Sequence, residues 1–144
     1  MPVSVKNMLD AKGRNVVSVS REKTIAEVAA ILHENRIGAV VVTSLEGRIA
    51  GIFTERDLVR GVAEGGAAVL DKPVSSVMTT NVTRCREETT LNELMEVMSS
   101  GRFRHVPVED AGKLVGIISI GDIVKARIRE VEAESEQMLA YIAG

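Results

Sequence analysis

Seven residues of this chain occur twice in one grammar. Gly51-Ile52-Phe53-Thr54-Glu55-Arg56-Asp57 and Gly116-Ile117-Ile118-Ser119-Ile120-Gly121-Asp122 stand 65 positions apart. In each, an apolar run that reads as a buried strand ends in a hydroxyl, and an acid three residues later opens a helical pattern. Thr24-Ile25-Ala26-Glu27-Val28 aligns with Thr90-Leu91-Asn92-Glu93-Leu94, and Asn15-Val16 with Asn81-Val82, at a shift of 66. Gly47 and Gly112 align at 65, so a one-residue loop deletion separates the copies. A 144-residue chain with this period reads as two half-sized units sharing a core.

Each unit reads strand, helix, strand, strand, helix. In the first, Val16–Val19 is a short strand, and Thr24 with Glu27 forms a capping box. The helix it starts carries Ile25, Val28, Ala29, Ile31 and Leu32 on one face. Ala39–Thr43 is a continuous apolar strand, Glu46-Gly47 turns the chain into Ile49–Thr54, and a helix follows through Leu58 and Val59. Gly61, Gly65, Gly66 and Pro73 mark a connector, which places the unit boundary near residue 70. The second unit repeats the order with Val82–Cys85, a helix from Thr90 to about Ser100, His105–Val108, a turn at Asp110–Gly112, and Leu114–Ser119. The expected division is 1–70, 71–127 and an extension 128–144. That extension exists because the last helical pattern runs on to about Ile142, with Val124, Ile128, Val131, Ser135, Met138 and Ile142 alternating spacings of four and three. Such a seam fits either a helix packed on its own domain or one contributing to a homodimer.

Composition removes several function classes. A hydrophobic content of 45% supports a core, and a net charge of −2 provides no global field for nucleic acid or anionic lipid. Cys85 is the one cysteine, which excludes an internal disulfide and fits a reducing cytoplasm; at a strand position it reads as a small hydrophobe. No apolar stretch reaches the roughly 18–20 residues of a membrane span, and the N-terminus lacks a signal-peptide core, so a cytoplasmic location is expected.

The two strand-end motifs, with Val77-Met78-Thr79 and Arg104-His105-Val106-Pro107-Val108, resemble a tandem pair of cystathionine-β-synthase (CBS) domains, a Bateman module. The resemblance covers almost the whole chain. It implies a mixed α/β or α+β fold of two β-α-β-β-α motifs packed sheet to sheet about a pseudo-twofold, with the extended C-terminal helix outside it. It also implies two clefts for adenosine-containing ligands (AMP, ADP, ATP, S-adenosylmethionine or NAD(H)), frequent pairing into a disc-shaped dimer, and a regulatory rather than catalytic role.

Residue chemistry suits that expectation. Thr54 and Ser119 stand where helix N–H groups are free, so an anion is favoured there. The Asp57 and Asp122 carboxylates suit the two donors of a ribose edge. The same S/T-x-x-D pattern is also a helix cap, and capping and binding can coexist. Arg104 and His105 are where the family often places phosphate contacts; the matching residues of the first unit are Gly38 and Ala39. The two clefts are therefore expected to differ, with the phosphate-rich end nearest Arg104, His105, Ser119 and Asp122. Arg56 would serve the Thr54/Asp57 cleft or sit solvated on its helix. By family analogy the adenine walls come from Val17 and Ile37 in one unit and Met78, Thr83 and Phe103 in the other, each of which plain core packing would also explain. His105 could be a core histidine; a metal site is not expected, because His33, the other histidine, falls on a distant helix.

Three functions follow as alternatives: a regulatory sensor of adenine nucleotides, an enzyme, and a structural dimerisation protein with degenerate clefts. No Ser-His-Asp set, phosphate-binding P-loop or dinucleotide fingerprint is present, which disfavours an enzyme. No effector segment is recognisable, so a regulated partner would be a separate chain.

Overall fold

Local chemistry decides where the helices begin. A computed structural model describes residues 2–143, and in it Thr24, Thr54 and Thr90 each accept the N–H of the residue three positions on. The helices so started are α2 (Ile25–Asn35), α3 (Glu55–Gly65) and α4 (Leu91–Gly101). Ahead of them lies α1 (Val5–Lys12), which the sequence reading did not anticipate although Ser4 and Asn7 form a full capping box. Strands β1 (Ser18–Val19), β2 (Ala39–Thr43) and β3 (Ile49–Thr54) form the first sheet; β4 (His105–Asp110) and β5 (Lys113–Ser119) form the second. The last helix, α5 (Ile120–Ala143), is continuous. The architecture is thus the expected mixture of two small sheets and helices with a long final helix.

Two expected strands are shorter than anticipated. Val16–Val19 contributes only Ser18–Val19, parallel to β2, although the Val41 N–H still donates to the Val17 carbonyl (3.3 Å). Val82–Cys85 shrinks to a single parallel bridge, Cys85 to Val108. Pro107 explains the difference. It stands at the repeat position of Val41 and has no N–H, so the carbonyl of Thr83 loses the donor that Val17 keeps.

The register sorts side chains into two layers. Val40, Val42 and Phe53 face the helices with Val28 and Leu32 in the first core cluster. Ala39, Val41, Ile52 and Thr54 alternate to the other face, and the first three are equally buried there. In the second unit Val106, Val108 and Ile118 face the helical core, while His105, Pro107, Ile117 and Ser119 share the opposite face. The units meet across these faces, where Leu114 N–H donates to the Gly47 carbonyl (3.2 Å) and Arg84 Nη2 to the Ile49 carbonyl (3.3 Å).

The lead-in segments are exchanged between units. Val5, Met8 and Leu9 of α1, at most 2% exposed, belong to the core of the second unit with Leu91, Leu94 and Ile118. Conversely, Val69 and Val74 are buried in the first core, and Val77 and Met78 pack against it. Main-chain bonds fix the exchange: Leu91 N–H to the Val3 carbonyl (2.8 Å), and Ile25 N–H to the Lys72 carbonyl (2.9 Å). The Gly61–Pro73 stretch is accordingly not a passive connector: it ends α3, turns through a 3-10 segment at Gly66–Asp71, and completes a core.

Candidate functional site

Both strand-end motifs form the cap that their pattern suggests. The Asp57 N–H donates to Thr54 Oγ1 (3.3 Å), while the Thr54 N–H (3.0 Å) and hydroxyl (3.2 Å) donate to Asp57 Oδ2. In the second unit the Asp122 N–H donates to Ser119 Oγ (3.2 Å) and the Ser119 N–H to Asp122 Oδ2 (2.8 Å). Capping alone would therefore explain both acids. Their surroundings differ.

A cleft of about 490 Å³ opens beside Thr54 and Asp57, within the usual size of a small-molecule site. Gly38, Ile52, Glu55, Arg56 and Arg60 line it from the first unit, and Thr79, Arg102, Phe103, Arg104 and His105 from the lead-in and the second unit. Asp57, only 4% exposed, keeps Oδ2 in the cap and turns Oδ1 to Arg60 Nη2 (3.0 Å) and, at a long 3.4 Å, to the Thr79 hydroxyl. Among the described residues Arg56, Arg102 and Arg104 make no salt bridge. The cleft thus holds four arginines against two carboxylates, three of those arginines without an anion. Phe103 folds its ring over Gly101, where there is no room for a Cβ, and stays 37% exposed in the cleft wall.

His105 sits between the motifs. Its Cε1 is 3.4 Å from the position a Cβ would take on Gly38, beside the Glu55 carboxylate. Burial lowers its pKa below the ordinary histidine value, against the opposing pull of Glu55 and Asp122. The imidazole is therefore neutral at pH 7 and can both donate and accept.

Asp122 lies in a different setting. Lys12 Nζ donates to its Oδ2 at 2.6 Å and to the Ile117 carbonyl at 2.8 Å. Burial by itself would raise the Asp122 pKa, but the Lys12 ammonium and the Ser119 N–H hold it below the ordinary value. The adjoining cavity, lined by Met8, Ala11, Lys12, Asp122, Lys125 and Arg129, is about 220 Å³.

The expected residues therefore separate. Thr54, Arg56, Asp57, Gly38, Phe103, Arg104 and His105 come together in one cleft. Arg104 and His105 line the Thr54 cleft, which Ser119 and Asp122 do not, although His105 pairs across the strands with Ser119. His105 starts β4 on the face that meets the first unit and Arg104 immediately precedes the strand, and both line the cleft of the Thr54 motif. Val17, Ile37 and Met78 pack against the first core, and Met78 covers Gly51. Thr83 is half-buried and lines neither cavity. Sequence reasoning missed Ile52, Glu55, Arg60, Thr79 and Arg102. Arg60 had a signal, three residues beyond Asp57 on one helix face, and Ile52 and Glu55 lie within the motif itself; Thr79 and Arg102 converge only through the fold.

Comparison with known proteins decides the family. The CBS-domain family model matches residues 10–64 and 74–129. The chain belongs to the CBS-domain family. It is similar to a CBS-domain-containing protein from Agrobacterium tumefaciens, 58% identical with TM-score 0.84, covering 87% of this chain and 99% of that one. A CBS domain protein from Pyrobaculum aerophilum, solved complexed with AMP, is 32% identical with TM-score 0.74 over 83% of this chain and 89% of that one. The CBS domain pair of protein MJ0100, in complex with 5′-methylthioadenosine and S-adenosyl-L-methionine, is 26% identical with TM-score 0.77 over 86% and 98%. An uncharacterised 17.7 kDa protein from Acidianus ambivalens is 37% identical over 112 residues, and the chain spans 66% of that relative's length. Among the described residues no helix of this CBS pair is long and apolar enough to cross a membrane.

Proposed function

We propose that this CBS pair is a regulatory module that binds an adenosine nucleotide in the Thr54/Asp57 cleft and acts on a separate protein chain. The observation that carries the reading is the convergence of a ribose-type acceptor, Asp57, with three unpaired arginines in one inter-unit cleft. Asp57 Oδ1 would take the ribose hydroxyls beside Arg60 Nη2, with the Thr79 hydroxyl swinging aside. The Thr54 hydroxyl and the start of α3 would take the nearest phosphate, with Arg56, Arg102 and Arg104 beyond it. Phe103 and Ile52 offer apolar surface to the base. The AMP-bound and S-adenosylmethionine-bound relatives support the adenosine part of this assignment.

Charge selects among adenosine ligands. Four arginines against Glu55 and Asp57 favour a di- or triphosphate over AMP, and either over the sulfonium cation of S-adenosylmethionine. Calorimetric titration with ATP, ADP, AMP, S-adenosylmethionine and NADH tests the reading. The expected order is ATP and ADP ahead of AMP, with S-adenosylmethionine weakest. No heat with any of the five would refute a sensor, and tightest binding of S-adenosylmethionine would refute the charge argument.

A second reading rests on α5. Val124, Ile128, Val131, Met138 and Ile142 are between 51% and 76% exposed along it, so the seam is not packed on its own unit. We infer that this face pairs with a second copy. Truncation after Lys125 should lower the sedimentation coefficient to that of a monomer; an unchanged coefficient would refute the pairing.

A further inference from the structure

We propose that two copies of α5 pair antiparallel about a centre between Arg129 and Glu130, with the charge pattern of the helix setting the direction. The inference rests on the pairing of α5 inferred above and adds the orientation and register of the partner helix.

The charges of α5 fall in two blocks. Lys125, Arg127 and Arg129 stand in its first half, and Glu130, Glu132, Glu134 and Glu136 follow with no base between them. Contact with its own unit is confined to the first block. Ile123 and Ala126 are buried, Arg127 donates to Asn92 Oδ1 (2.8 Å) and pairs with Glu130, and every residue from Val131 to Ala143 is exposed. Among the described residues Lys125, Arg129, Glu132, Glu134 and Glu136 make no salt bridge. The acids thus project from the fold with no cation of their own chain against them.

The seam decides what a second helix would bring to them. With Val124, Val131 and Met138 at d positions and Ile128, Ser135 and Ile142 at a, Lys125 and Glu132 fall at e, and Arg127 and Glu134 at g. In an antiparallel pair a opposes d, while e faces e and g faces g. Setting Ile128 against the partner's Val131 puts Val124 against the partner's Ser135. Lys125 then lies beside the partner's Glu132 and Arg127 beside the partner's Glu134, each contact made twice by symmetry. At the far end Met138 meets the partner's Gly121, where there is room for it: a Cβ at Gly121 would have only Ser119 Oγ within 4 Å. The helices overlap over 120–139, about 30 Å. A parallel pair would instead set the acidic block beside its own copy. Its one attractive contact, Arg127 with the partner's Glu132, would draw on an arginine already held by Glu130 and Asn92.

Cysteine cross-linking of the full chain reads the direction, with Cys85 buried and silent in the folded protein. Met138→Cys alone should give no disulfide-linked dimer, because antiparallel helices hold the two copies of position 138 about 26 Å apart. Val124→Cys with Ser135→Cys should give a covalent dimer whose peptide map joins position 124 to position 135. A disulfide between the two copies of position 138 would overturn the proposal, as would a wild-type dimer in which the double variant forms no 124–135 link. Charge reversal supplies a readout without added cysteines. Lys125→Glu should raise the dimer dissociation constant about tenfold in sedimentation at low salt. Adding Glu132→Lys to the same chain should restore it to within about twofold, because the swapped pair still matches. In a parallel pair that second change would put a cation beside the partner's Arg127, so a double variant no tighter than Lys125→Glu would also overturn the direction. A wild-type chain that sediments as a monomer would remove the pairing itself, whereas a wild-type dimer carrying the position-138 disulfide would remove the direction alone.

Discussion

Arg104→Ala separates the ligand from the scaffold. The Arg104 side chain is exposed and makes no salt bridge, while its main-chain carbonyl, which accepts the Ile120 N–H at 2.8 Å, survives the substitution. Stability should therefore stay within about 0.5 kcal/mol of wild type. A hydrogen bond to a charged partner contributes about 1.5–3 kcal/mol, and solvent screening at an exposed arginine places this one at the low end. At about 1.4 kcal/mol per factor of ten, ATP affinity should fall about 10- to 30-fold. Arg56 and Arg102 line the same cleft, so the loss is partial. Adenosine has no phosphate, and its affinity should change less than about twofold. Calorimetry with both ligands reads the ratio, and a urea midpoint reads the fold. Equal losses for ATP and adenosine would refute the assignment of Arg104 to the phosphates. A loss for ATP that appears only when Asp122 is intact would return Arg104 to the second motif.

Leu9→Ala tests the exchange of lead-in segments: a fully buried leucine should cost about 2–5 kcal/mol in urea denaturation, and a cost below about 1 kcal/mol would place α1 outside the second core. His105 titrates below the ordinary histidine value in the folded chain, so the unfolded chain holds more protons just below pH of about 6.5. Stability should fall as pH drops through that window and His105→Gln should flatten the slope; an unchanged slope would refute the burial argument. Under the proposed binding, anionic phosphate beside the imidazole would oppose that bias, so ATP affinity should rise as the pH is lowered from 7.5 to 6. Cys85 has its thiol pushed up to about 12 by burial, so a thiol reagent at neutral pH should react slowly until the chain is unfolded; prompt reaction in the native state would contradict that.

What could be read in the sequence was local. The boundaries of β2 and β3 follow from unbroken apolar runs, and the start of α2 from Thr24 and Glu27. The length of α5 followed from a pattern that no Gly or Pro interrupts after Gly121. What failed was nonlocal. Nothing near Val5 says that α1 belongs with Leu91 and Ile118, because only the folded chain brings them together. The missing strand at Val82–Cys85 was decided by Pro107, more than twenty residues away, through one absent N–H. Chain order sorts Arg104 and His105 to the second motif, whereas the inter-unit face at the start of β4 brings them to the first.

That last failure bears on how a duplicated motif should be weighed. Thr54 with Asp57 and Ser119 with Asp122 each bind the free N–H groups at a helix start, and each helix needs its cap whether or not a ligand is present. The hydroxyl and the acid are therefore constrained twice by folding and only afterwards by binding, so two copies establish two units rather than two sites. The residues around the caps carry no such duty. Arg56 and Arg104 neutralise nothing in the scaffold, and their counterparts Gly121 and Gly38 have no side chain that could. The proposed ligand is therefore argued from those unconstrained positions: Arg56, Arg102 and Arg104, unpaired in the Thr54 cleft, are what support a polyphosphate there, not the acids, each of which already has a cation in Arg60 or Lys12.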